Sequence, residues 1–102
     1  MAEKILRKLM LGFVQVYILN HASQRPVFGA ELQEALGAYG HHLSPGTLYP
    51  VLRSLETKGL LTSAPKVVDG KLRVYYSATQ QGKEILKQAQ VMARKLCNSL
   101  TD

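Results

Sequence analysis

Apolar residues in the middle of the chain recur with the spacing of an amphipathic helix. In the stretch LSPGTLYPVLRSLETKGLL they fall at intervals of three and four residues, which places them on one helical face. Ser44 is a preferred N-cap residue, and Pro45 suits the first helical position, where a missing N–H costs nothing. Gly59 is a typical C-terminal stop. The pattern predicts a helix that starts at Pro45, although Pro50 should remove one backbone hydrogen bond within it and bend its axis slightly.

The other parts of the chain show different apolar patterns. Residues 9–19 are apolar nearly all round a helix, as in an element that is covered on more than one side. The turn-rich stretch 20–29 is predicted to link this helix to a short second helix. Residues 37–42 form a glycine-punctuated turn, and residues 80–100 are predicted to form a long final helix.

Two strand-like runs flank Asp69 and Gly70, which together are the strongest short hairpin signal in the chain. If these two residues form the loop, Lys66 lies opposite Arg73 and Lys71 shares their face. Like charges directly opposite each other are destabilising, so a nearby anion such as a DNA phosphate explains these cations better than folding does. An ordinary solvated face is the alternative for any one of them. The opposite face is predicted to carry Val67, Leu72, Val74 and Tyr76.

Three helices, a hairpin and a further helix predict a mainly α fold with a small β-hairpin. This order is that of a winged helix-turn-helix, here with an extended N-terminal helix and a C-terminal dimerisation helix. Residues 1–78 would form the DNA-binding domain and residues 79–102 the dimerisation helix. The third helix would present its N-terminal end to the major groove, with free N–H groups for phosphate. Alternatively, Pro50 only rigidifies the turn. The candidate contacts are Gly46, Thr47, Tyr49, Pro50 and Arg53, with Lys66, Lys71 and Arg73 on the wing.

The final helix carries more apolar surface than a domain of this size needs for its own core. One row has the spacing of a coiled-coil seam, and a second row passes through Cys97. The first helix has the same surplus, so we expect a homodimer in which these helices pack across a two-fold axis and bind a palindromic site. The alternative is that the two helices only pack on each other. The candidate interface residues are Leu9, Phe13, Tyr17, Ile85, Ala89, Met92 and Leu96.

The charge balance favours a polyanionic partner. Thirteen Lys and Arg residues against seven Asp and Glu residues give a net charge of +6, so nucleic acid is the first candidate and an anionic membrane surface the second. The apolar run 9–19 is too short to span a bilayer, and no membrane partner is predicted. The absence of a small-residue cleavage site and the single cysteine predict a cytoplasmic protein without disulfides. Cys97 is predicted to be a small core residue.

Catalytic and metal-binding patterns give no candidate. No Ser-His-Asp order, nucleophile elbow, Walker loop or pair of acids is present, so the sequence predicts that the protein is not an enzyme. His41 and His42 are adjacent and therefore point in different directions. With distant His21 and Cys97 they form no recognisable metal set. Neither a metal nor a cofactor is predicted.

The stretch LSPGTLYPVLRSLETKGLL resembles the most characteristic segment of the PadR family of bacterial transcriptional regulators. A family-like first helix precedes it, and the wing ending in VYYSAT, Gly82 and the helix KEIL follow it, so the resemblance covers roughly residues 9–100. It implies a homodimeric winged-helix repressor of the short form, with a single C-terminal helix. One departure is Ala30, where the family commonly has an aromatic residue. The recognition motif would comprise Ser44, Pro45, Gly46, Thr47, Tyr49 and Pro50.

The resemblance also implies a small aromatic effector at the dimer interface. Some short members bind flat aromatic drugs between tryptophans, and this chain contains no tryptophan. A pocket here would instead be lined by Phe13, Tyr17, Met92 and Leu96.

Two other functions fit the same pattern of elements. The first is a winged-helix protein-interaction module without specific DNA binding, whose function would survive neutralisation of the wing cations. The second is a binder of double-stranded RNA or a general nucleoid protein, which would bind unrelated sequences equally and with a steep salt dependence.

Overall fold

The computed structural model describes residues 2–101 and confirms the winged helix-turn-helix order. Helix α3 begins at Pro45, as predicted, and continues past Pro50. The elements are α1 (Ala2–Gln24), β1 (Val27–Phe28), α2 (Gly29–Ala38), α3 (Pro45–Thr57), β2 (Leu61–Val68), β3 (Lys71–Ala78) and α4 (Gln80–Ser99).

The core forms around the inner face of α3. Leu48 and Leu52 are completely buried, and Leu55 is almost so. They pack with residues of the C-terminal half of α1, such as Ile18, and with Leu32 of α2. Burial of each such leucine stabilises the fold by about 1.5–3 kcal/mol, which is why tertiary packing holds α3 together in spite of its internal proline.

The sheet has three strands in the order β1-β3-β2. The prediction of a turn-rich link over residues 20–29 is wrong, because α1 continues to Gln24 and Val27 and Phe28 pair with β3. This pairing depends on a strand almost 50 residues away, so no local pattern could reveal it. The predicted hairpin register is confirmed, with Lys66 opposite Arg73. Asp69 and Gly70 both have positive φ (51° and 76°), as a two-residue type I′ loop requires.

Helices α1 and α4 contact each other but leave much of their apolar surface exposed. Leu86 of α4 is buried in the core, whereas Val91 and Leu100 are exposed. The prediction that Cys97 is a core residue is wrong in this chain, because α4 extends beyond the core there and the thiol is exposed. Within residues 2–101, no helix is long and apolar enough to cross a membrane.

Candidate nucleic-acid interface

The N-terminal end of α3 is open. Ser44 is the N-cap residue, but its hydroxyl does not accept a backbone N–H and instead donates to Oγ1 of Thr47 at 3.3 Å. The N–H groups of Thr47 and Leu48 both donate to the Ser44 carbonyl. Pro45 has no N–H, and the N–H of Gly46 finds no acceptor within the described chain, residues 2–101. A backbone donor at the positive end of the helix is therefore free for an external anion.

The fold itself does not require glycine at position 46. A Cβ atom built there would meet only the Ser44 hydroxyl, at 3.7 Å, which is ordinary van der Waals contact. Gly46 is exposed, so its missing side chain leaves room in front of the helix rather than inside the protein. Such room allows close approach of an external backbone.

Tyr49 lies across the start of α2. Its hydroxyl and ring atoms occupy the space that a Cβ atom of Gly29 would need, at 2.5 to 2.8 Å from that position. Tyr49 is nevertheless 40% exposed. The absence of a Cβ atom at Gly29 therefore makes room for this aromatic side chain. Sequence reasoning missed Gly29, and the only signal would have been a glycine at the first position of a helix, where its low helix propensity needs a reason.

The outer face of α3 presents an exposed cation, and the one acid of the helix is hydrogen-bonded to the sheet. Pro50 and Arg53 are exposed. The carboxylate of Glu56 accepts a hydrogen bond from the Ser63 hydroxyl of β2, at 2.6 Å. Burial and then the nearby Glu56 raise the pKa of Tyr76, and Arg53 acts against that rise. Arg53 is thus the exposed charge on this part of the helix.

The wing cations have aromatic neighbours within the chain. The Arg73 guanidinium lies 4.4 Å from the centroid of the Phe28 ring, and the Lys66 ammonium lies 5.8 Å from that of Tyr75. The two rings meet edge to face, at 5.4 Å. Cation–π attraction therefore stabilises the like-charged pair, so its presence does not by itself require an external anion. Lys71, next to the hairpin loop, is exposed.

The two faces of the wing differ in their relation to α3. Ser63 and Tyr76 are paired neighbours, and Ser63 bonds to α3, so their face of the sheet is the α3 side. Side chains alternate along a strand, which puts Lys66 and Arg73 on the opposite face. On the α3 side, the outer half of the wing shows exposed apolar residues. These are Val67, Leu72 and Val74.

The start of α2 lies next to the wing and is closed by its own side chains. Glu31 Oε1 accepts the Phe28 N–H at 3.4 Å, and its other carboxylate oxygen pairs with Arg25 at 2.6 Å. The hydrogen bond from Arg25 is the main reason that the pKa of Glu31 is lowered. Both carboxylate oxygens of Glu31 therefore already have partners within the chain.

The residues predicted to form the dimer interface lie on two separate surfaces of the chain. Phe13 and Tyr17 line an open groove of about 800 Å³ together with Tyr39 and His41. Met92 and Leu96 line a second, shallower depression on α4. Tyr17 contacts His21 and Tyr39 through their rings, and its pKa is raised by burial. The structure therefore does not bring the four predicted effector-pocket residues together within one chain.

A winged helix-turn-helix with an open recognition-helix end and a basic wing is the architecture of a transcriptional regulator rather than of an enzyme. The family model described as "Transcriptional regulator PadR-like family" matches residues 18–88. The chain belongs to this family, as its central motif predicted.

Individual relatives agree with this assignment. The chain is 44% identical over 81 residues to the transcriptional regulator Rv3488 of Mycobacterium tuberculosis, a match that covers 79% of this chain and 76% of that protein. The crystal structure of a PadR family regulator from Eggerthella lenta superimposes with a TM-score of 0.83 at 28% identity, covering 97% of this chain and 88% of that one. A PadR-like regulator from Bacillus cereus gives 0.69 at 31% identity, covering 95% of each chain.

Proposed function

We propose that this regulator is a sequence-specific, homodimeric repressor that binds a palindromic operator in double-stranded DNA. The open N-terminal end of α3, with the free N–H of Gly46, is the observation that carries the proposal. Residues 1–78 would bind DNA and residues 79–102 would dimerise the protein. A regulator that acts on chromosomal DNA in a bacterium works in the cytoplasm.

At the DNA surface, the start of α3 would enter the major groove. Ser44, Pro45 and Gly46 would bring backbone close to phosphate, and Thr47 would face the duplex beside them. Further along the helix, Tyr49, Pro50 and Arg53 would contact bases or phosphates. Lys66, Lys71 and Arg73 would contact flanking phosphates from the wing. All three cations share the sheet face away from α3. Lys66 and Arg73 lie over aromatic rings of the chain, whereas Lys71 is exposed beside the hairpin loop, so Lys71 is the wing residue that we expect to contribute most.

Dimerisation is supported by apolar side chains that one chain leaves in water. Leu9 and Phe13 of α1 are 56% and 49% exposed, and Met92 and Leu96 of α4 are 62% and 57% exposed. Large apolar side chains exposed on each of the two surfaces are typical of a protein interface. Ile85 is also exposed, whereas Tyr17 and Ala89 are half-buried and would lie at its edge.

The first experiment is selection of bound duplexes from a random pool at about 150 mM salt, close to physiological ionic strength. The winner is then titrated against scrambled DNA. We expect an inverted repeat with half-sites about one helical turn apart, bound about 10³-fold or more tightly than the scrambled duplex. Equal binding of both duplexes with a steep salt dependence would instead support a general nucleic-acid binder.

The oligomeric state can be tested with a pair of charge substitutions on one helix. Leu96→Glu puts a charge on the proposed interface. Arg94→Glu is the control, because Arg94 is exposed on α4 and lines neither the groove nor the depression. We expect sedimentation equilibrium to show a dimer for the wild type and the control, and a monomer for Leu96→Glu. A wild-type monomer that still protects one half-site would contradict the homodimer.

Transcription in vitro from a promoter that contains the selected site distinguishes a repressor from a protein-interaction module. We expect the wild-type protein to lower transcript yield and a variant lacking the charges of Lys66, Lys71 and Arg73 to do so only at higher concentration. An unchanged effect of this variant, with no site selected from the pool, would favour a module that binds protein.

The groove on α1 supports a small aromatic effector as a further part of this function. It is lined by Phe13 and Tyr17 on its apolar side and by Tyr39, His41 and Gln90 elsewhere. In the proposed dimer, Met92 and Leu96 of the partner would have to complete it. Binding of the fluorescent probe anilinonaphthalene sulfonate tests this arrangement. We expect enhanced fluorescence that Phe13→Ala removes, and an equal signal from Phe13→Ala and wild type would exclude the groove.

A further inference from the structure

The C-terminal end of α3 is closed, in contrast to its start. Gly59 has a φ of +79°, and its N–H donates to the carbonyl of Glu56 at 2.9 Å. The N–H of Leu60 donates to the carbonyl of Leu55, also at 2.9 Å. These two bonds form a Schellman motif, which satisfies the last turn of the helix and reverses the chain direction. The carbonyl groups of Gly59 and Leu60 are left pointing out of the motif.

Thr79 bonds both of these carbonyl groups. Its hydroxyl donates to the carbonyl of Gly59 at 2.6 Å, and its N–H donates to that of Leu60 at 3.1 Å. The same hydroxyl oxygen accepts the N–H of Gly82 at 3.0 Å and so caps the start of α4. A single residue is thus the N-cap of α4 and the partner of the C-terminal motif of α3.

Gly82 brings the two backbones into direct contact. A Cβ atom at this position would lie 2.1 Å from the carbonyl oxygen of Leu60 and 3.1 Å from its carbonyl carbon. The obstacle is backbone, which cannot move aside as the end of a flexible side chain can. The separation between the end of α3 and the first turn of α4 is therefore fixed. We call the contact formed by Gly59, Leu60, Thr79 and Gly82 the α3–α4 clamp.

The rest of α4 is held less closely. Leu86, one turn beyond the clamp, is 6% exposed and anchors the helix in the core, and α1 packs along one side of it. Beyond these contacts, α4 carries the exposed apolar residues assigned above to the dimer interface. In a dimer built through α1 and this part of α4, two contacts set the orientation of each recognition helix relative to the two-fold axis. One is the packing of α1 on α4 and on the core, and the other is the clamp, which joins α4 directly to the end of α3.

The geometry points to the α3–α4 clamp as a specificity determinant: Thr79 and Gly82 set the separation and rotation of the two operator half-sites that the dimer accepts. This role rests on the proposed dimeric DNA binding. Adding one base pair between half-sites moves them by about 3.4 Å and rotates them by about 35°. A dimer with a rigid clamp cannot follow that change, whereas a dimer with a loosened clamp can.

The test compares Thr79→Val with Thr79→Ser on DNA of varied spacing. Valine has nearly the shape of threonine but lacks the hydroxyl, so it loses the bonds to Gly59 and Gly82. Serine keeps both and is the matched control. Fluorescence anisotropy measures binding of each protein to the selected inverted repeat and to the same repeat with one base pair added to or removed from its centre. Circular dichroism confirms that each variant is folded, which we expect because Leu86 remains anchored.

The wild type and Thr79→Ser should bind the altered spacings about tenfold or more weakly than the selected one. For Thr79→Val we expect a difference below about threefold, with weaker binding to the selected repeat because the recognition helices are less preorganised. Equal discrimination by wild type and Thr79→Val, or an equal loss by Thr79→Val on all spacings, would overturn the role of the clamp while leaving the proposed function intact. A wild type that binds no inverted repeat would overturn the proposed function itself, and the role of the clamp with it.

If Thr79→Val does not fold, Lys83→Gly takes its place in the same assay. This substitution weakens the first turn of α4 without touching the clamp bonds. Retained discrimination by this variant is the expected result, because those bonds are intact. Lost discrimination would show that general loosening of α4, rather than the clamp, governs spacing.

Discussion

The two ends of α3 satisfy their backbone groups in opposite ways. At the C-terminal end, the N–H groups of Gly59 and Leu60 bond within the helix turn and their carbonyl groups bond to Thr79. At the N-terminal end, the Ser44 hydroxyl does not cap the backbone, and the Gly46 N–H has no acceptor among residues 2–101. Both ends contain residues with high capping propensity, so propensity alone does not explain the difference.

What differs is whether another part of the same chain reaches the helix end. The start of α4 covers the C-terminal end at backbone contact distance, and residues 39–46 at the other end are mostly exposed. An end left open in a folded domain costs little in water but provides donors for a ligand. We expect the open N-terminal end of α3 to contact a ligand and the closed C-terminal end to hold α3 in position relative to α4.

Breaking the closed end should produce the largest effect on folding. Gly82→Ala forces a Cβ atom against the Leu60 carbonyl, and we expect the free energy of unfolding to fall by about 3 kcal/mol. Urea denaturation measures the change. Gly12→Ala is the matched control, because a Cβ at Gly12 meets nothing within 4 Å and should raise helix stability by up to about 1 kcal/mol. Equal stability of Gly82→Ala and wild type would contradict the close contact.

Filling the open end should instead affect binding and not folding. Gly46→Ala adds a methyl group that the fold accommodates, so we expect unchanged or slightly higher thermal stability. Affinity for the selected operator should fall by about tenfold, since the methyl group separates the helix backbone from DNA. Fluorescence anisotropy measures this loss. Operator affinity equal to that of the wild type would show that the open end does not approach DNA.

A substitution on the wing should have a smaller effect on DNA affinity. It distinguishes phosphate contacts made by the wing from contacts made by α3. Lys71→Gln should weaken binding of operator and scrambled DNA alike, by a few-fold, and lower the slope of log affinity against log salt by about one. Arg94→Gln removes an equal charge from α4, away from the proposed dimer interface, and should leave the slope unchanged. A slope that is the same for both variants would show that Lys71 contacts no phosphate.

The smallest effect is expected at the start of α2, a helix end that is closed by its own side chain. The lowered pKa of Glu31 means that its ion pair stabilises the fold above its ordinary pKa of 4.5 and that this contribution is lost as the pH falls through the lowered value. Glu31→Gln should lower the melting temperature at pH 7 by about 1–3 °C and by less near pH 3, where the carboxylate is increasingly protonated.

Glu34→Gln, on the same helix and exposed, should have no effect at either pH. An equal loss for Glu31→Gln at both pH values would show that the packing of this side chain, rather than its charge, stabilises the start of α2.

Several features were predictable because they depend on residues close together in sequence. Ser44, Pro45 and Gly59 mark the bounds of α3 correctly, and Asp69-Gly70 fixes the register of the hairpin. The family assignment followed from the same segment. The DNA contacts remain predictions, and the structure changes the reason for two of them, since Arg73 and Lys66 lie over aromatic rings.

Other features depend on residues far apart in sequence. Strand β1, the contact of Tyr49 with Gly29 and the exposure of Cys97 all follow from where distant segments meet. A periodic pattern states which face of a helix is apolar, but not which neighbour covers it. This is why the predicted dimer residues could be named, whereas their division between two surfaces could not.

The order of the helices and the hairpin, and the inner face of α3, follow from short segments, because capping, apolar period and turn conformation act over a few residues. Which end of α3 stays open and which is closed depends on how distant segments meet in the folded chain. Thr79 is a favourable N-cap in any context, and only the folded chain brings it to the carbonyl groups of Gly59 and Leu60. Gly82 allows that approach, because two backbones can meet at this distance only where no Cβ atom separates them.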